Sequence, residues 1–274
     1  MLYPKNQSPE LSHELFKAPT SEYRGAPFWS WNCRLDKDEL MRQADILGQM
    51  GFGGYHMHVR SGMDTPYLGD EFMSCIRACV DKAEKNGMLA WLYDEDRWPS
   101  GFAGGLVTKD EKYRIRYLLF TPFSYEEVAG KIRSGNEQAT ALRSGNGKLI
   151  CRFSVTLDDD GCLASYRVLG DQEEADDGGR VFYAYLESPH TSPRYNGYTY
   201  VNTMDKAAIE RFIEITHEAY FREVGDRFGN TVPAIFTDEP QFPRKTTLGF
   251  AGEKKDVVLS LIHISEPTRL RCIS

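Results

Sequence analysis

The chain has 274 residues, 41% hydrophobic, 12% aromatic and 27% charged, which is ordinary globular composition and excludes a disordered tail, a collagen-like repeat or a disulfide miniprotein. With 33 basic against 40 acidic residues the net charge is −7, and no basic block offers a surface for a nucleic-acid backbone. No apolar run reaches the roughly 18 residues that a membrane helix needs. The stretch from Met1 to Lys17 is polar throughout, and the six cysteines include no CxxC pair. The expectation is a cytoplasmic chain with reduced thiols, no organic cofactor, and neither a membrane nor a nucleic acid as partner.

Residues 25–32, Gly-Ala-Pro-Phe-Trp-Ser-Trp-Asn, read as a short strand running into a loop. Asp36 stands at an N-cap position with Glu39 three residues on, and Leu40, Ala44 and Leu47 follow at helical spacing until Gly51. Residues 52–59 read as a second strand, weakened by glycine at its start. Asp70 is the expected cap of a helix whose apolar stripe is Phe72, Cys75, Ile76, Cys79, Val80 and Ala83, closed by Gly87. The apolar run 88–93 predicts a strand buried on both faces. From about Tyr113 to Tyr200 the pattern changes to short alternating runs at 117–120, 149–157, 164–168 and 181–186, an antiparallel insertion. One helix is predicted from Asp205 through Ile209, Phe212, Ile213, Thr216, Tyr220 and Val224, and 232–237 predicts a fourth core strand.

Strands alternating with helices predict an α/β fold with a parallel sheet. The first strand ends in aromatics rather than in a glycine-rich phosphate loop, and each strand end carries aromatic or ionisable residues. That pattern favours the N-terminal half of a (β/α)8 barrel over a doubly wound sheet, with an antiparallel β insertion between the third and fourth strands. The expected segments are 1–112 (barrel strands one to three), 113–200 (insertion) and 201–258 (helix and fourth strand).

The chemistry concentrates at strand ends. After the third strand come Asp94, Glu95 and Asp96, three carboxylates that would repel one another unless Arg97 or a cation relieves them, followed by Trp98, whose flat face suits a sugar ring. The alternative is a solvated acidic turn. After the fourth strand come Asp238 and Glu239, where burial can make a carboxyl a general acid; the alternative is a plain Asp-Glu turn before Pro240. His56 and His58 share one strand face, with Arg60 two residues on; they can bind hydroxyls or carboxylates or ligate a metal, though no third ligand is evident. Cys75 and Cys79 read as core, His217 as structural, the run 171–177 as a loop without EF-hand spacing, and Gly104-Gly105 as no phosphate loop.

Five stretches, Ala26-Pro-Phe-Trp-Ser-Trp-Asn32, Gly51-Phe-Gly-Gly54, Thr65-Pro-Tyr-Leu68, Trp91-Leu-Tyr-Asp-Glu-Asp-Arg-Trp-Pro-Ser-Gly101 and Phe236-Thr-Asp-Glu-Pro240, resemble the N-terminal half of the catalytic barrel of glycoside hydrolase family 106, known for α-L-rhamnosidases. The resemblance covers roughly residues 22–245, least in the insertion. It implies a (β/α)8 domain of a longer enzyme, inverting hydrolysis of terminal α-L-rhamnosides, a calcium ion in the active site, and Glu239 as general acid, with the base on a later strand. Trp29, Trp31, Asn32, His56, His58, Arg60, Asp94, Glu95, Asp96, Arg97, Trp98 and Asp238 would then line the sugar pocket. His56-Met-His-Val-Arg60 departs from the family's His-Pro-Arg form, which bears on the sugar taken. A non-catalytic sugar-binding protein and a metal-dependent hydrolase centred on His56 and His58 are the rival readings.

Residues 259–274 resemble the translation of a sequencing adapter, and the expectation is a non-native tail on an N-terminal fragment that is inactive alone.

Overall fold

The computed structural model describes residues 9–10, 12–126 and 143–242, and the backbone of 257–260. Its elements in chain order are α1 (His13–Lys17), β1 (Phe28–Trp31), α2 (Lys37–Gln49), β2 (Gly54–Val59), α3 (Asp70–Lys85), β3 (Leu89–Tyr93), β4 (Tyr117–Thr121), β5 (Lys148–Leu157), β6 (Leu163–Leu169), β7 (Arg180–Glu187), α4 (Lys206–Ile215), α5 (His217–Val224), β8 (Ile235–Phe236) and β9 (Val257–Ser260). They form two compact units, residues 1–107 with 207–240, and residues 108–206 with 241–274. Among the described residues no helix is long and apolar enough to cross a membrane.

The first unit is a parallel sheet in the order β1-β2-β3-β8. Register pairs Phe28 with His56 and His56 with Trp91, and Tyr93 with Phe236. Alternation along β2 sends Tyr55, Met57 and Val59 into the core under the helices, and His56 and His58 to the opposite face. The α3 stripe behaves as its spacing requires: Phe72, Cys75, Ile76, Cys79, Val80 and Ala83 are all buried in that core. The Tyr55 hydroxyl donates to the Cys79 carbonyl (2.7 Å), tying β2 to α3. In β3, Ala90 and Leu92 are fully buried, whereas Trp91 on the other face is only partly so; the strand is not sealed equally on both sides.

Local signals explain the helix ends. The Asp36 side chain accepts from the Glu39 N–H (2.9 Å), the predicted cap, and Gly51 takes the left-handed conformation that ends α2. The cap of α3 is Gly69 rather than Asp70, which becomes the first helical residue and places its charge in the first turn. The single helix expected from Asp205 is two, α4 and α5. The Thr216 hydroxyl donates back to the Phe212 carbonyl (2.7 Å), and the helix breaks there.

The second unit is an antiparallel sheet in the order β6-β5-β7-β4-β9. Strands β4 to β7 occupy the four alternating runs of the sequence. β9 pairs antiparallel with β4 from Phe120–Val257 to Tyr117–Ser260, across the expected start of the tail. Residues 261–274 lie outside the described residues. The fold is therefore mixed α/β, and neither sheet closes on itself among the described residues.

The glycine weakening read at the start of β2 has a steric cause. A Cβ on Gly54 would collide with the Leu89 carbonyl oxygen of β3, a backbone atom that cannot swing away. Gly54→Ala should therefore destabilise the first unit by about 1–3 kcal/mol. All four tryptophans lie in this unit, so their fluorescence in a urea titration measures it alone.

Candidate functional site

Because β1, β2, β3 and β8 run parallel, their C-terminal ends share one edge of the sheet. Asn32, Arg60, Asp94 and Thr237 each follow a strand at that edge, the usual place for a site in such sheets.

The face turned away from the helices is paved with rings. His56 stacks on Trp91 (centroids 5.0 Å, 11° between planes) and His58 on Tyr93 (4.0 Å, 14°). Phe28 lies 5.1 Å from His56 and 5.2 Å from Phe236. Burial depresses the pKa of both histidines, that of His56 to about 4 with a further push from His58. Both are thus neutral at pH 7. His58 Nδ1–H donates to the Val59 carbonyl (3.1 Å), which fixes its tautomer.

Trp29 and Trp31 do not belong to this face. Strand alternation turns them towards the helices, with Trp31 only 1% exposed against Phe72, and the Trp29 indole donates to Gln43 on α2 (2.8 Å). The expectation that they line a sugar pocket is corrected: their ring faces are committed to packing.

The Asp94-Glu95-Asp96 run resolves into three environments. Glu95 is fully buried and receives five backbone N–H donors. Asp96 (2.9 Å) and Gly104 (2.5 Å) bond Oε1, while Gly101 (3.0 Å), Phe102 (3.0 Å) and Ala103 (2.7 Å) bond Oε2. Burial pushes its pKa up to about 8 against the pull of those donors. All five contacts are backbone N–H donors to the two oxygens, so the side chain acts entirely as an acceptor. It is a loop organiser and not a sugar contact, which corrects the sequence expectation. Asp94 accepts from Ser100 Oγ (2.6 Å) and Thr237 Oγ1 (2.5 Å), and His217 Nε2 lies at 3.0 Å. Asp96 pairs with Arg97 (2.9 Å).

Trp98, 38% exposed, donates its indole N–H to Glu239 Oε2 (2.7 Å). The Glu239 backbone N–H donates to Asp238 Oδ1 (3.3 Å). Burial first, then Glu239, raises the Asp238 pKa, whereas the Trp98 N–H first, then Asp238, lowers that of exposed Glu239. The Tyr93 hydroxyl donates to Asp238 Oδ2 (3.3 Å) and the Asp238 N–H to Ser100 Oγ (2.9 Å). The structure thus brings Trp98, Asp238 and Glu239 together at the sheet edge and joins to them Tyr93, Ser100, Thr237 and His217, which the sequence reading did not select. Three of those four sit inside or beside the quoted motifs. His217 carries no local signal, since its partner lies 123 residues away.

No family model matches the chain, and no curated protein matches it in sequence. Among solved structures, a rhamnosidase from Novosphingobium sp. PP1Y is similar at 13% identity and a TM-score of 0.34, over 66% of this chain and 26% of that one. This chain thus spans about a quarter of that protein's length. A likeness at that level carries no functional weight.

A calcium ion, implied by the family resemblance, does not fit the residues described. Among them no group of three or more His, Cys, Asp or Glu is disposed to hold a metal. The oxygens of Asp94 and Glu95 are already taken by protein donors. The same holds for a metal centred on His56 and His58, whose rings are stacked and lack a third ligand among the described residues.

Glu95→Gln turns an amide N–H2 against backbone donors and should cost about 1–3 kcal/mol, read as a lower urea midpoint of tryptophan fluorescence. The depressed histidines make the folded unit take up fewer protons than the unfolded chain between about pH 6.5 and about pH 4. Their contribution to stability is full above that window and falls as pH drops through it. His56→Phe should flatten this pH dependence of the urea midpoint.

Proposed function

We propose that this chain carries the first half of a glycoside hydrolase barrel related to family 106, acting on terminal α-L-rhamnosides or related deoxy sugars. The parallel sheet of the first unit would be barrel strands one to four, and the antiparallel unit an insertion between the third and fourth. The observation that carries the reading is the Trp98 indole bonded to Glu239 at the C-terminal edge of a parallel sheet, beside Asp238. An exposed indole face next to two adjacent carboxyl groups is what binding and protonating a glycoside require. The motif resemblance over residues 22–245 supports the same reading.

In this reading the sugar stacks on Trp98 and excludes water from Glu239, which raises its proton affinity. Glu239, protonated in that desolvated setting, gives its proton to the departing glycosidic oxygen. A water attacks the anomeric carbon from the opposite face and gives its proton to a second carboxylate. In an inverting enzyme that base stands roughly 6.5–9.5 Å from the acid; we place it on a later strand beyond the chain described. Arg60, Asn32 and Arg97 at the same edge would take sugar hydroxyls. The proposed setting is cytoplasmic.

One observation favours a second reading, a sugar-binding protein without turnover: exposed Glu239 is held in its ionised form, unlike an acid at rest. The two separate experimentally. Titrating the chain with L-rhamnose should quench tryptophan fluorescence saturably with Kd near 1 mM, about −4 kcal/mol. Trp98→Phe should abolish the response, and the absence of saturable binding overturns both readings. In a protein that carries the whole of the proposed barrel, Glu239→Gln should lower kcat on an aryl α-L-rhamnoside by about 10²-fold or more with sugar binding retained. A protein that binds and shows no turnover supports the second reading.

A further inference from the structure

Asp94 immediately succeeds β3, and its side chain is shut off from solvent. A buried carboxylate is held only by donors that replace its water. Its donors come from three separate segments: Ser100 from the loop after β3, Thr237 from the end of β8, and His217 from the first turn of α5. Ser100 extends the reach. Its hydroxyl donates to Asp94 Oδ1 (2.6 Å), so its oxygen lone pairs are left to accept, and the Asp238 N–H donates to it (2.9 Å). The Asp94 N–H in turn donates to the Phe236 carbonyl (3.3 Å). Residues 236, 237 and 238 are therefore each tied to Asp94, directly or through one hydroxyl.

β8 has only two residues, Ile235 and Phe236, so the sheet itself holds the chain no further than Phe236. Beyond Phe236 the backbone must be fixed by side chains. We propose that Asp94 is the positioning residue of the site: its carboxylate sets the backbone of 237–239 through Thr237 and Ser100, and so holds Glu239 against the Trp98 indole. Asp94 does not touch a substrate. An asparagine in its place would turn an amide N–H2 towards one of the donors and lose part of the anchor. The positioning geometry stands on these contacts alone; its meaning for catalysis rests on the acid-pair reading above.

The test uses the Trp98 indole N–H as a reporter, in 15N NMR of the whole chain, with the resonance assigned by its loss in Trp98→Phe. Glu239→Ala defines the position of an indole without its carboxylate. Thr237 is exposed, so Thr237→Val removes the hydroxyl without straining the core. Thr237→Val and Ser100→Ala should each move the resonance at least halfway towards the Glu239→Ala position. Thr237→Ser, which keeps the hydroxyl, should leave it in place. A purely structural role for Asp94 lowers the urea midpoint without moving the indole, so an unmoved resonance in both folded variants overturns the proposal. In a protein that carries the whole of the proposed barrel, Thr237→Val should lower kcat about tenfold at unchanged KM. If the resonance moves while Glu239→Gln leaves turnover intact, the positioning holds and the acid-pair reading fails.

Discussion

Removing a carboxylate from water costs several kcal/mol unless protein donors replace the solvent, and the turn after β3 buries three acidic side chains in succession, Asp94, Glu95 and Asp96. Glu95 draws the backbone N–H groups of 101 to 104 and of Asp96 around itself, which folds the loop back on its own start. Asp94 draws in hydroxyls and an imidazole from three segments. Between them they set the path of the loop that carries Trp98, and Asp94 also sets the end of β8. The placement of Trp98 beside Glu239 follows from the donors that these two buried carboxyl groups gather. All three members of the acidic run are buried: Asp94 and Glu95 hold the frame, and Asp96 pairs with Arg97.

The sheet beneath has two unlike faces. One is an aliphatic and aromatic core under α2, α3 and α5; the other is a pavement of Phe28, His56, His58, Trp91, Tyr93 and Phe236. Stacked, desolvated imidazoles behave there as neutral aromatic surface rather than as acids, bases or ligands. Neither ring meets a third His, Cys, Asp or Glu disposed to hold a metal among the described residues.

Much of the first unit was legible in the residues. The N-cap at Asp36, the six-residue stripe of α3 and the glycine closures at Gly51 and Gly87 are local, and local chemistry decided them. The four runs of the insertion became β4 to β7 for the same reason. Misreadings arose where two local rules compete. Gly69 caps α3 because its extended backbone precedes the helix, leaving Asp70 to the first turn, and a back-bonded Thr216 divides a helix whose apolar periodicity runs on unbroken.

By itself the sequence determined which residues alternate, where helices begin and which motifs gather acids and a tryptophan at strand ends, because each depends on neighbours a few positions apart. It also determined that Trp29 and Trp31 share a face, but not which face. Only the tertiary structure decided that, by laying the helices on their side of the sheet and leaving Phe28, His56 and His58 on the other. It likewise decided which carboxylates are buried, and that His217 meets Asp94 across 123 residues. Burial and long-range pairing are properties of the packed chain, and no local pattern encodes them.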